Sequence, residues 1–287
     1  MKRAAMVVAV LAVCTWSFGQ SSDKPAAQTP AAGQTAAPAT AAPQGKRPPA
    51  AKTQPEFAAY NAAKALTDPA AMEKAADDFA AKYPDSELRA LLYSAAMNLY
   101  QQANNADKML EMAKKMLTYD PDSPEALVGV AQVLAERTRE TDLDKDQKLA
   151  EAKTDSERAL VTVDTDIPTA GIDQARLDAY KGYLKSEAYA ILGTLAFNAK
   201  NWAEAETNLR KSIDALPQQP DPIAVFRLAV ALDMQAKYPE ALKYVDQAVD
   251  LTKDRPDSAA GKAARAEKDR LTKLSSGAAP GQPPAKK

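Results

Sequence analysis

The residues best suited to chemistry in this chain are acidic. From position 140 to 151 it reads ETDLDKDQKLAE, with Glu140, Asp142, Asp144 and Asp146 alternating and Glu151 following. Alternating carboxylates can converge on a hard cation such as calcium, and counting from Glu140 places Glu151 twelfth, where an EF-hand loop carries its bidentate ligand. Lys145, however, stands where that loop turns on glycine, and Lys148 adds a second positive charge beside the ion. The competing reading is a solvated insertion whose Asp144 or Asp146 caps the next helix; the lysines favour it. Two further carboxylate pairs, Asp77 with Asp78 and Asp164 with Asp166, have the chemistry for acid–base work, but nothing in the sequence places them in a cleft, and surface solvation or helix capping accounts for them. No serine is partnered by a recognisable base. The chain has no histidine and its single cysteine is Cys14. Once a leader is removed, structural zinc, disulfides, thiol nucleophiles and histidine-based triads are all excluded. No catalytic residue, metal ligand or cofactor site is assigned.

The elements that would carry any site are helical. Hydrophobic residues make up 46% of the 287 positions, much of this alanine, with only 6% aromatic and 10 Gly, a composition that favours helices over sheets. With 37 basic residues against 38 acidic ones, the chain has no global field to attract nucleic acid or an anionic membrane. The N-terminus, MKRAAMVVAVLAVCTWSFGQ, has two cations, an apolar run from Ala4 to Val13, and then small residues. This predicts a secretory signal peptide over 1–19 with cleavage before Gln20, and hence export to a periplasm or cell envelope. The alternative is lipidation at Cys14, because LAVC resembles a bacterial lipobox; Val13 sits where such signals carry Gly, Ala or Ser. Membrane contact is expected only in that case. Residues 20–55, rich in Ala, Pro, Thr and Gln, predict a disordered linker, and 275–287 a disordered tail of the same composition.

Between them, residues 56–274 repeat. When YAILGTLAFNAKNWAEAETNLRKSIDALP, starting at Tyr189, is laid over the segment that contains YPEALKYVDQAVDL, Leu192 aligns with Leu228, Trp202 with Tyr238, Ala205 with Ala241 and Leu209 with Val245, a spacing near 36 residues. Each unit reads helix, short turn, helix. Gly193 and Ala205 are small where the two helices of a pair cross closely, Trp202 and Tyr189 fill space beside the crossing, and Pro217 ends the second helix. Tyr189, Leu192, Gly193, Trp202, Ala205, Leu209, Ser212 and Pro217 are spaced as in the tetratricopeptide repeat, and the chain resembles that family over about two thirds of its length. Departures are Ala196 in place of an aromatic, Ala229 in place of the glycine, and Lys253 in place of the closing proline. Weaker units run upstream from about Glu56 to Pro84, from about Glu87 to Asp120 (Tyr93, Tyr100, Ala113), and from Pro124. In the last, the partner helix is delayed by the acidic insertion to about Asp146–Val163. A long connection from Thr165 to Ile172 could hinge two sub-stacks, and a polar helix from about Ser258 to Leu274 caps the array. The fold expected is all-α: a solenoid of about five stacked antiparallel helix pairs with a capping helix.

The resemblance implies a concave groove lined by the first helix of each pair. By repeat position, Ser94, Asn98, Gln101, Gln132, Glu136, Thr194, Asn198, Arg227 and Asp233 should face it. Such a mixed polar groove suits an extended peptide or a partner helix, held through amide side chains. The lysines that would clamp a terminal carboxylate are missing. The function expected is a non-enzymatic exported scaffold with a protein or peptide partner. A lipid-anchored envelope assembly or trafficking factor and an unrecognised hydrolase or glycan-binding enzyme are the readings from other classes.

Overall fold

A computed structural model of the chain describes residues 46–275; the expected signal peptide, Cys14, most of the linker and nearly all of the tail lie outside the described residues. Eleven α-helices follow one another within the described residues: α1 Gln54–Lys64, α2 Pro69–Lys82, α3 Arg89–Gln102, α4 Ala106–Tyr119, α5 Pro124–Arg137, α6 Lys145–Thr162, α7 Gln174–Asn198, α8 Trp202–Ala215, α9 Pro222–Asp233, α10 Tyr238–Leu251 and α11 Ala259–Ser275. Short turns make consecutive helices antiparallel neighbours. From α3 to α10, packing within a pair (α3 with α4, α5 with α6, α7 with α8, α9 with α10) is more extensive than packing between pairs, and α11 lies against α10 and α9. The delayed α6 and the closing α11 begin within a residue of their expected positions, and α7 begins at Gln174, two residues beyond Ile172, where the expected connection ends.

Local chemistry fixes the boundaries. Asp68, Ser123, Asp173 and Asp221 cap α2, α5, α7 and α9 through their side chains, and proline opens α2, α5 and α9, where its missing N–H costs nothing. The turns inside three pairs share one backbone device. Asn104, Lys200 and Ala236 adopt positive φ (55°, 59° and 59°), and the next residue's N–H reaches back to the carbonyl of Tyr100, Ala196 and Leu232, each at 2.9 Å. This is a Schellman turn built without glycine. The last two of these left-handed residues lie 36 positions apart, so the backbone repeats with the period read from the side chains.

The crossing of α7 and α8 explains the small residues. A Cβ placed on Gly193 would lie 2.7 Å from Leu209 Cγ and 2.8 Å from its Cδ2, and Ala205 and Leu209 have no exposed surface. Ser186 and Ser212 meet in the same interface at 3.2 Å. Trp202 stands edge-on to Phe197, with ring centres 5.3 Å apart, and Lys211 covers the Tyr189 ring. Leu192, Leu228 and Ala241 are buried, whereas Tyr238, the counterpart of Trp202, is 43% exposed at the start of α10. Helix α8 ends at Ala215, two residues before Pro217. With paired helices, a 36-residue period and this crossing, the described region is a tetratricopeptide-like solenoid.

The two sides of the array are held differently. First helices touch directly, α1 with α3, α5 with α7 and α7 with α9. Second helices are bridged by long charged side chains: Lys108 to Glu73 at 2.7 Å, Lys115 to Asp77 at 3.0 Å, Lys114 to Glu151 at 2.9 Å, and Lys237 to Glu206 at 2.6 Å. The array's buried apolar residues form two clusters, one from Ala63 to Ile191 and one from Ala196 to Leu271, which meet inside α7.

Residues 46–53 differ from the expectation of a disordered linker. They run along the ends of the helices: the Lys46 N–H donates to the Thr165 carbonyl (3.2 Å), and Lys46 Nζ lies 2.5 Å from Asp120 and 3.8 Å from Asp166. Arg47 pairs with Glu87, whose other oxygen accepts the Ala50 N–H at 3.2 Å. Buried Glu56 then takes the N–H groups of Lys52 and Thr53, completing the capping box of α1. Composition had assigned this stretch to the spacer because it holds no large apolar residue; specific ionic and backbone partners seat it instead.

Candidate partner-binding face

The side chains of the first helices gather into two polar groups. In the first, Glu125, in the opening turn of α5, accepts hydrogen bonds from Ser94 Oγ (2.8 Å) and Asn98 Nδ2 (3.0 Å) on α3, and from the Tyr180 hydroxyl on α7. Loss of hydration pushes the Glu125 carboxyl above the usual carboxylate range against the pull of these three donors, and burial together with the nearby carboxylate raises the Tyr180 hydroxyl well above its own. This group ties three successive pairs together.

The second group lies two turns further along α5. Gln132 and Glu136 on α5, Glu187 and Thr194 on α7, and Asp221 and Arg227 by α9 line one hollow, floored by Ala135, Ala190, Ile191 and Ala224. Arg227 Nη1 donates to Thr194 Oγ1 at 2.8 Å, and that hydroxyl in turn donates to the Ala190 carbonyl at 2.8 Å, so one residue of α9 is fixed to one of α7. Gln132 Nε2 lies 3.3 Å from Glu136, and Asp221 accepts the Ile223 N–H at 3.1 Å while capping its helix. Three carboxylates face one guanidinium here. The hollow is shallow, about 20 Å³, and its excess of carboxylates favours neutral or cationic side chains over acidic ones beside it.

Of the nine positions expected to face the groove, the structure brings Gln132, Glu136, Thr194 and Arg227 into this hollow, and Ser94 and Asn98 onto Glu125. Asp233 is placed elsewhere: its carboxylate meets Arg270 on α11 at 2.5 Å and its side chain is only 10% exposed, so it joins α9 to the cap. Gln101 lies half-buried near the end of α3 and Asn198 is exposed at the end of α7, both away from the hollow. Glu125, Tyr180 and Glu187 belong to the face and were not singled out from the sequence. The signal for Glu125 was present, because positions 125, 132 and 136 are spaced by seven and four along one helix and so share a face.

The carboxylates considered for chemistry have partners. In the insertion, Glu140 pairs with Lys145 (2.6 Å), Asp142 and Asp144 both pair with Lys148 (3.4 and 2.9 Å), and Glu151 pairs with Lys114 on α4. Asp144 occupies the N-cap position of α6 without a side-chain bond to it, so the expected cap is positional only. Asp77 accepts from Tyr93 and Lys115, Asp78 pairs with Lys74, Asp164 with Lys185, and Asp166 with Thr165 and Lys46. Among the described residues no group of three or more acidic, histidine or cysteine side chains converges to hold a metal ion, and no helix is long and apolar enough to cross a membrane.

No protein-family model matches the chain, and no curated protein does. Similar solved structures include the MamA protein, 16% identical with 66% of this chain and 89% of that one covered (TM-score 0.36), and the APC/C hetero-tetramer Cut9-Hcn1, 12% identical with 76% and 42% covered (TM-score 0.37). A third is the assembly chaperone of RpL4, Acl4, 13% identical with 78% of this chain and 99% of that one covered (TM-score 0.39). At such values the assignment of the fold rests on the helix pairing and repeat geometry of the chain itself.

Proposed function

We propose that this chain is a non-enzymatic, exported scaffold that binds an extended segment of another protein along the face of its first helices. The observation that carries the reading is the hollow between α5, α7 and α9, where residues of three successive pairs converge over an aliphatic floor. Its charge ratio favours a partner segment with neutral or basic side chains over one with acidic ones. Export follows from the N-terminal sequence, which also supports the alternative of a lipid anchor at Cys14. Cys14→Ser separates the two: it releases the protein from membranes only if the anchor exists. The main test places a photo-crosslinking residue at Gln132, with an affinity tag on the C-terminal tail, in native cells. One dominant crosslinked protein, lost in the Glu136→Lys, Glu187→Lys variant while the far-ultraviolet spectrum is unchanged, is the expected result. Equal capture of the same protein from a crosslinker on the outer face, at Lys211, would overturn the assignment of the face.

A further inference from the structure

The edge of the solenoid formed by the turns between pairs carries Glu87 between α2 and α3, Asp120 between α4 and α5, and Asp166 between α6 and α7. All three are engaged by one extended segment of the chain, through Lys46, Arg47 and the N–H of Ala50. Pro48 and Pro49 stiffen that segment, so it crosses the edge as an extended rod at little further entropic cost. Its anchors are ionic and partly exposed, the Lys46 and Arg47 side chains keeping 33% and 69% of their surface, while Pro48 and Pro49 are half-buried and Ala51 rests against the apolar core. Contacts of this kind close and open readily and weaken with salt.

Lys46 is the residue that touches two different turns. It joins Asp120, before α5, to Thr165 and Asp166, in the connection before α7. That connection, residues 163–173, is the longest between helices among the described residues, and it holds Gly171 at a φ of +78° with nothing within 4 Å of the position a Cβ would take. We propose that residues 46–52 are a reversible strap: seated, it holds the 163–173 connection against the α4–α5 turn and fixes the tilt of α7 relative to α5; released by salt, or by a competing basic segment on the same carboxylates, it lets the connection open. The relative position of Gln132 and Glu136 on one side and Glu187 on the other then changes, so occupancy of the edge governs the shape of the inner face. The strap stands on its own contacts and does not depend on what the face binds.

The test is hydrogen exchange on the full chain. In the wild type at low salt, the amides of Thr165 and Asp166, both bonded to the Thr162 carbonyl, should exchange slowly. Lys46→Glu should speed them about five- to ten-fold, the loss expected when a partly exposed pair becomes a repulsion, with α9 and α10 unchanged. Raising salt to 0.5 M should speed the same amides in the wild type. The variant Lys46→Asp, Asp120→Lys, Asp166→Asn, whose last change removes the repulsion a carboxylate at position 46 would otherwise meet, should restore slow exchange. Identical exchange of residues 163–173 in the wild type and Lys46→Glu overturns the strap. If Lys46→Glu accelerates α9 and α10 as well, the charge-swapped variant decides, and a folded swap that fails to restore protection overturns it equally.

Discussion

Replacing Gly193 with alanine isolates the close crossing of α7 and α8. Alanine is the better helix former by about 1 kcal/mol in a helix interior, so the backbone contribution alone favours the substitution. The new methyl meets Leu209, however, at 2.7 Å from Cγ, 2.8 Å from Cδ2 and 3.2 Å from its backbone nitrogen. Leu209 is fully buried and has no route outward, so the two helices must separate. Overpacking of this kind costs about 1–3 kcal/mol, and with backbone involved the upper end applies, for a net loss of about 2 kcal/mol. Gly129 on α5 is the internal control. It is also buried in a helix, but a methyl there meets the Sδ of Met97 at 3.0 Å, the Cβ of Ala113 at 3.6 Å and the Cε of Met109 at 3.7 Å, and the two methionine ends can swing aside. Gly129→Ala should therefore be neutral or stabilising by up to about 1 kcal/mol. Urea denaturation followed by circular dichroism, with hydrogen exchange reporting on α7–α8 separately, measures both. In a double-mutant cycle, Leu209→Ala alone should cost about 2–5 kcal/mol, and adding Gly193→Ala to it should cost nothing more. If Gly193→Ala proves as stable as Gly129→Ala, the crossing does not require glycine and the packing argument is wrong.

Three other outcomes follow from the same geometry. The Glu125 carboxyl is raised by desolvation, so over the window between its unfolded and folded values the native state holds a proton that the unfolded chain has released. Its contribution is complete below the unfolded value, about 4.3, and is lost as pH rises through the folded one. Glu125→Gln should flatten the fall in stability between that range and neutral pH, and thermal melts across pH would show no difference in slope if the group were solvated. Calcium at 1 mM should leave the melting temperature where chelator leaves it, because Lys145 and Lys148 already engage Glu140, Asp142 and Asp144; a rise of several degrees would revive the ion-binding loop. Tyr100→Phe should cost about 1 kcal/mol by removing the hydroxyl that binds Glu73; burial, together with that bond, pushes Tyr100 up to about 12. A stability equal to the wild type in chemical denaturation would show that Lys108 alone satisfies Glu73.

The repeat was legible because it is written in residue size. Gly193, Ala205 and Leu209 mark a crossing that only small residues permit, and Pro217 and the caps mark ends that backbone chemistry dictates, so helix pairs and even the delayed α6 could be placed from the chain alone. Position within a repeat names a face but not what its residues touch. Ser94 and Asn98 face inward and are bound to Glu125, and Asp233 is taken by Arg270 from a helix 26 residues or more further on. The segment from Lys46 was hidden for a related reason. Composition weighs apolar burial, and what seats these residues is a set of long-range charge contacts that no local pattern encodes.

The division of the apolar core inside α7 bears on how the chain comes apart. The division falls in the last third of that 25-residue helix, between Ile191, the last member of one cluster, and Ala196, the first of the other. In a linear array, cooperativity passes only between neighbours, and it weakens where neighbours share least. Here the division falls within a single helix, and what crosses it is the packing of α8 on α7, through Ser186 with Ser212 and Gly193 with Leu209. Heating should then melt the chain in two steps, with a species in which one cluster stays folded and α7 frays beyond Ile191. Calorimetry would register this as a measured enthalpy exceeding the van't Hoff value, the mark of two melting units on one polypeptide.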